Sequence, residues 1–170
     1  MSLLIQVSCK DGSWQALLSD WQRQCEEFSE DFNSFLGASL SVVSDLAEGP
    51  GEKDAGVFAL KTDDKYSALC QLNSTYLPGY QGKVLRARMI VFSPEFEFGA
   101  YPTERYADEL VNLLDGVIQI SNDVLPSDHI KFHLRSPSDR AFFSTLGTAL
   151  GAQKALKKVD SRGMWLYITK

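Results

Sequence analysis

The sequence predicts a mixed α/β fold in which a central, mostly antiparallel sheet is flanked by helices. Three observations carry this prediction. A stripe of large apolar residues at helical spacing occupies the early part of the chain. Three alternating runs joined by short turns follow between Gly56 and Phe92, and helix and strand patterns then alternate to the end. That order suits one sheet with helices on both faces.

The elements follow in chain order. Leu3-Leu4-Ile5-Gln6-Val7 is an apolar run suited to a buried strand. Asp11-Gly12 breaks the chain, and Ser13 stands at the N-cap place of a helix. Trp14, Leu17, Leu18, Trp21, Cys25, Phe28, Phe32 and Phe35 then recur at helical intervals. They predict one amphipathic helix of about six turns, stopped by Gly37. The stretch Leu40 to Leu46 reads as a second short helix or an extended connection, the helix being favoured, and the polar cluster from Glu48 to Asp54 as a loop. Gly56 to Lys61, Tyr66 to Tyr76 and Lys83 to Phe92 read as three meander strands. Pro78-Gly79 fits the centre of a type II turn, because glycine accepts the positive φ required there. In the third strand Leu85, Ala87, Met89 and Val91 alternate against Arg86 and Arg88. Glu95 to Pro102 reads as an extended connection, which would turn Glu95 and Glu97 to one side.

A helix capped by Thr103 should carry Tyr106, Leu110, Leu113, Leu114, Val117 and Ile118 inward. His129 to Leu134 alternates as a strand. Ser136-Pro137-Ser138-Asp139 has the capping serine, N1 proline and N3 acid of a helix start. Phe142, Phe143, Leu146, Ala149 and Leu150 would line that helix, and Gly151 would close it. Lys154 to Val159 and Met164 to Ile168 read as a hairpin around Asp160-Ser161-Arg162-Gly163.

Composition narrows the function classes. A chain of 170 residues with 44% hydrophobic and 23% charged content predicts one globular domain, residues 1–170. A net charge of −5 argues against a nucleic-acid partner. No apolar run is long enough for a membrane span, and the first ten residues lack a leader's basic start. Three dispersed cysteines fit a reducing cytoplasm, and with only two histidines no metal-ligand spacing is available.

Two local motifs carry a resemblance. Met89-Ile90-Val91-Phe92-Ser93-Pro94-Glu95-Phe96 looks like a strand ending in Val-x-Pro, and Asp139 to Gly147 like an Ala…Tyr-x-x-Leu-Gly helix. With the element order they resemble the GNAT family, the acyl-CoA N-acyltransferases, along nearly the whole chain. The resemblance implies an acyl-CoA N-acyltransferase-like fold and transfer of an acyl (acetyl) group from acetyl-CoA or another acyl-CoA. The acceptor would be a small-molecule or peptide amine, with no metal involved. It implies that backbone amides of Ile90, Val91 and Phe92 hold the thioester carbonyl. The diphosphate would lie near Gly99, Ala100 and Arg105 at the start of the next helix.

The family's glycine-rich signature is reduced here to Gly99-Ala100, flanked by Glu95, Glu97 and Pro102. Phe143 stands where many members have a proton-donating tyrosine. Glu95 and Glu97 are then candidate general bases or solvated loop acids. Tyr101 is a candidate proton donor in place of Phe143. Tyr76 and Tyr80 line a pocket or pack in loops, and His133 is a base or a structural strand residue. Arg86 and Arg88 share one strand face and either meet a phosphate or carboxylated substrate or pair with acids. The rival function is a non-catalytic ligand- or protein-binding module of the same fold that has lost the cofactor loop. A third is a homodimeric subunit that uses the long aromatic helix or an edge strand.

Overall fold

The computed structural model of the chain describes residues 2–137, 139–142 and 156–170, the side chain of Ser39 excepted. Seven strands form one sheet in the order β1-β2-β3-β4-β5-β7-β6. They are β1 (Leu3–Val7), β2 (Ala55–Thr62), β3 (Lys65–Tyr76), β4 (Lys83–Phe92), β5 (His129–His133), β6 (Lys158–Arg162) and β7 (Trp165–Thr169). Every neighbouring pair is antiparallel except β4 and β5, which run parallel. The helices are α1 (Ser13–Glu27), α2 (Phe32–Ser39), α3 (Ser41–Glu48), α4 (Pro94–Phe98) and α5 (Thr103–Asp123).

The sheet separates two apolar layers. On one side Leu110, Leu113, Leu114 and Val117 of α5 pack over Phe58, Cys70, Leu85 and Ile130. On the other, Trp14, Leu17, Trp21, Val43 and Ala47 of α1 and α3 cover Val57, Ala59, Leu69 and Val91. Alternation along each strand feeds both layers, as expected of a sheet covered on two sides. Gly116 is where α5 comes closest to β1, since a Cβ there would lie 2.5 Å from the Leu4 Cβ. Gly116→Ala should therefore destabilise the protein by about 1–3 kcal/mol through overpacking, measurable by urea unfolding.

Several expectations are corrected. The predicted helix from Trp14 to Phe35 is two helices, broken where Ser29 takes a left-handed φ of 57°. Asp31 then caps α2 by accepting the Ser34 N–H at 2.7 Å. Gly12 (φ 77°), not Ser13, is the N-cap of α1, and Pro102, not Thr103, that of α5. The segment after β4 is helical rather than extended. Pro94 sits in its first turn, and Ser93 O accepts the Phe96 and Glu97 N–H groups at 2.9 and 3.0 Å. Glu95 and Glu97 therefore do not share a face.

The alternation in β4 is interrupted as well. Arg88 pairs with Gln71 and Val91 with Leu69, so Met89 and Ile90 both oppose Cys70. Met89 has φ 52° and is 42% exposed, and this β-bulge places Val91 on the same side as Arg88. The last hairpin turns on two residues, with Gly163 first at φ 60°, so β6 runs through the predicted turn residues Asp160 to Arg162. Residues 137 and 139–142 are helical, and Ser136 Oγ accepts the Asp139 N–H at 3.1 Å as the capping pattern predicts. The expectations for Ser138, Phe143, Leu146, Ala149, Leu150, Gly151 and Lys154 lie outside the described residues.

Candidate functional site

The site begins where two parallel strands part. β4 and β5 pair only from Val84 to Ala87 against His129 to Phe132. β4 then runs through its bulge to Phe92, while β5 stops at His133. Ser93 N–H donates to Ser67 O at 2.8 Å on the β3 side. Hydrogen-bonding direction alternates along an antiparallel ladder. The Val91 N–H therefore faces β3, and the Phe92 N–H turns to the edge that β5 has left.

The walls of this gap come from both sides of the divide. The Phe92 ring lies 4.8 Å from that of Tyr106 and 5.8 Å from that of Phe96. Arg135, just beyond β5, places its guanidinium 5.2 Å from the Phe92 ring and pairs with Glu97 of α4 at 2.5 Å. That ion pair ties the chain after β4 to the chain after β5. Asp139 accepts the Arg135 N–H at 3.0 Å and the Tyr106 O–H at 3.1 Å. Burial first, and the Asp139 charge second, push the Tyr106 hydroxyl up to about 12. It stays protonated throughout the neutral range.

Glu95 points to a different place from Glu97. It accepts the Tyr101 O–H and lies 3.7 Å from both Lys65 Nζ and the Arg105 guanidinium. Arg105 is stacked 3.7 Å over the Tyr101 ring. Burial, and then the hydrogen bond to Glu95, raise the Tyr101 hydroxyl above its ordinary value. Lys65, Glu95 and Arg105 border a cavity of about 530 Å³ that reaches Arg23 and Glu109. The N–H of Glu95 donates to Gln24 Oε1 at 3.0 Å, so α1 sets the orientation of α4.

Gly99 closes α4 by donating to Glu95 O at 3.0 Å, and a Cβ there would sit 2.2 Å from that oxygen. Its glycine is thus required by the helix end. Among the described residues the amides of Ala100, Thr103 and Glu104 have no hydrogen-bond acceptor, and Pro102 has no N–H to give. A second cavity, of about 350 Å³, brings Glu97, Phe98 and Arg135 together with Glu30, Asp31 and Phe35. Three carboxylates against one guanidinium make it suited to a cationic guest.

The predicted residues thus fall into two groups. Ile90, Val91, Phe92 and Glu97 lie at or beside the gap, while Glu95, Gly99, Ala100, Tyr101 and Arg105 gather at the turn into α5. Sequence reasoning missed Arg135 altogether and took Tyr106 and Asp139 for packing and capping residues. Their only local signal was polar atoms next to a strand end. Among the described residues no cluster of His, Cys, Asp and Glu could hold a metal ion, and no helix is long and apolar enough to cross a membrane.

No family model matches the sequence, and no curated protein matches it. Solved structures do. A probable acetyltransferase from Staphylococcus epidermidis superposes with a TM-score of 0.53 at 12% identity, over 100% of this chain and 98% of that one. An N-acetyltransferase from Staphylococcus aureus gives 0.47 at 12% identity, over 99% and 97% of the two chains. An acyl-CoA N-acyltransferase from Pseudomonas aeruginosa gives 0.45 at 11%, over 99% and 95%. The first of these, with the strand order and the parallel β4–β5 pair, shows a mixed α/β fold of the acyl-CoA N-acyltransferase-like kind.

Proposed function

We propose that the chain is an acyl-CoA-dependent N-acyltransferase, a single domain acting in the cytoplasm on a small-molecule or peptide amine. The observation that carries this reading is the bulged end of β4, which leaves the Phe92 N–H on an edge that no strand covers. The donors fit acetyl-CoA or another acyl-CoA at both of its ends. Phe92, with Ile90 and Val91 shaping the bulge, would hold the acyl end. The unpaired amides of Thr103 and Glu104 and the Arg105 guanidinium would hold the diphosphate, beside the loop of Gly99 and Ala100. When bound, the group supplies a thioester carbonyl activated towards an amine.

The chain's own residues do the rest. The Phe92 N–H meets the oxygen on which negative charge grows. Glu97, with Glu30 and Asp31 in the same cavity, attracts a cationic amine, and its carboxylate takes the proton directly or through water. Tyr106, whose ring packs on Phe92, is the hydroxyl best disposed to return a proton at the gap. Tyr101 holds Glu95 and Arg105 in place. Direct attack requires only deprotonation and positioning, which these groups supply.

The ion pair between Glu95 and Arg105 supports the second reading, a binding module that makes no use of acyl-CoA. Titration with acetyl-CoA and longer acyl-CoAs, by calorimetry and thermal unfolding, separates the two. We expect saturable binding and a raised Tm. Arg105→Glu should abolish binding, and Glu97→Gln should bind normally but transfer about a hundredfold more slowly. Absence of both heat and thermal shift at millimolar-order cofactor, roughly a generous excess for this class of site, overturns the enzyme reading in favour of the module.

A further inference from the structure

We propose that the half of the sheet that no described helix covers, on the side that carries α1 and α3, is a docking surface for an acidic peptide segment, gripped by Arg86, Arg88 and Lys131. The side is established by register. Val57 pairs with Gln71, and Gln71 with Arg88, so the three share a face, and Val57 lies beneath the α1–α3 layer. Asn73, Arg86, Lys131 and Tyr167 form the next row of cross-strand partners on that face. Among the described residues, no member of β5, β6 or β7 belongs to the core beneath α1 and α3. Among the described residues the helical cover of this face ends at β4.

The row carries Arg86 and Lys131 and, beyond Tyr167, the acid Asp160, although the chain as a whole carries −5. Arg86 and Lys131 are direct neighbours on adjacent strands, an arrangement of like charges that destabilises a sheet. Among the described residues none of Arg86, Arg88 and Lys131 has an ion pair. The Arg88 Nε is buried with no hydrogen-bond acceptor, and Arg86 is bonded only to the neutral Asn73, at 3.1 Å. Burial first, and the Arg88 charge second, press the Arg86 guanidinium below its ordinary value. Asp160, on β6 and two strands from Lys131, is already paired with Arg162 at 2.8 Å. An anion from outside would relieve all three cations together.

Geometry favours a peptide. Arg86 and Arg88 project about 7 Å apart, the same repeat at which an extended peptide presents alternate side chains. Carboxylates at every second position would match them. A single-stranded nucleic acid would need free aromatic faces on which to stack. Here Lys131 lies 4.9 Å from the Trp165 ring and 5.1 Å from the Tyr167 ring, and the His133 ring meets Trp165 edge-on.

Trp165 supplies the readout, because Trp14 and Trp21 are fully buried. The full chain, without acyl-CoA, is titrated with a short synthetic peptide bearing Glu at alternate positions while Trp165 emission is followed. We expect a saturable change that weakens as salt rises. Arg88→Gln and Lys131→Gln should each weaken binding by about tenfold without lowering Tm, because like-charge repulsion is relieved. Lys53→Gln, on the exposed loop before β2, should bind like the parent. The proposal is overturned if low salt brings no saturable change, or if Lys53→Gln weakens binding as much as the other two. It is equally overturned if an oligothymidylate binds more tightly than the peptide and loses affinity in the same variants. Neither result depends on acyl transfer, so this proposal and the enzyme reading can fail separately.

Discussion

Deletion of Met89 is expected to leave the protein folded, with an unchanged or higher Tm, while slowing acyl transfer about a hundredfold. The reason lies in the register. Arg88 already pairs with Gln71 and Val91 with Leu69, so without Met89 the remaining Ile90 would oppose Cys70 alone. Ile90 and Cys70 belong to the same core layer, and no buried side chain would change face. A left-handed non-glycine residue, which costs about 1–2 kcal/mol, would also be removed. A bulge bends its strand, and a straightened β4 would run on beside β5 and close the gap that the Phe92 amide faces. Thermal unfolding and a transfer assay with acetyl-CoA check both halves. Parental activity in the deletion would show that the bulge has no part in the chemistry, and loss of folding would refute the register argument. Met89→Gly, which keeps the bulge and relieves the backbone, should be stabilised and remain active.

The second large effect is expected at Asp20. Its carboxylate is buried in α1 and accepts the Tyr66 N–H of β3 at 2.9 Å, the Gln24 side-chain amide at 3.0 Å and Arg23 at 2.5 Å. Asp20→Ala would leave a buried backbone donor and a buried amide unpaired, a loss of about 3 kcal/mol. For a chain of this size that lowers Tm by roughly 6–12 °C. Asp20→Asn keeps an acceptor for Tyr66 and should lose about 1 kcal/mol. Gln24 also holds the Glu95 N–H, so the alanine variant should weaken cofactor binding even at temperatures where it remains folded. Denaturant unfolding and a titration of the folded variant separate the two consequences. A variant as stable as the parent would mean that water replaces the carboxylate at Tyr66.

Much of the fold was legible because short-range patterns carry it. The stripe from Tyr106 to Ile118 is the buried side of α5, and Gly79 takes the positive φ that its Pro-Gly turn requires. The break between α1 and α2 was hidden because Phe28, Phe32 and Phe35 continue the helical spacing across it. Phe35 still reaches Trp21, ring to ring at 5.8 Å, after the chain has turned. The bulge was hidden for a similar reason: Leu85, Ala87, Met89 and Val91 look like uninterrupted alternation until β3 supplies the partners.

The sequence by itself determined the class of the fold, the order of its strands along the chain and the buried stripe of α5. Periodic burial and backbone sterics act between residues near one another in the chain, and they leave a readable pattern. Only the tertiary structure decided where β4 parts from β5, that Glu97 meets Arg135 from the far side of the gap, and that Glu95 meets Arg105 instead. It also brought Arg86, Arg88 and Lys131 together with no ion pair among the described residues. Those outcomes depend on which strands stop pairing and which distant charges are then brought within reach, and no local pattern records either.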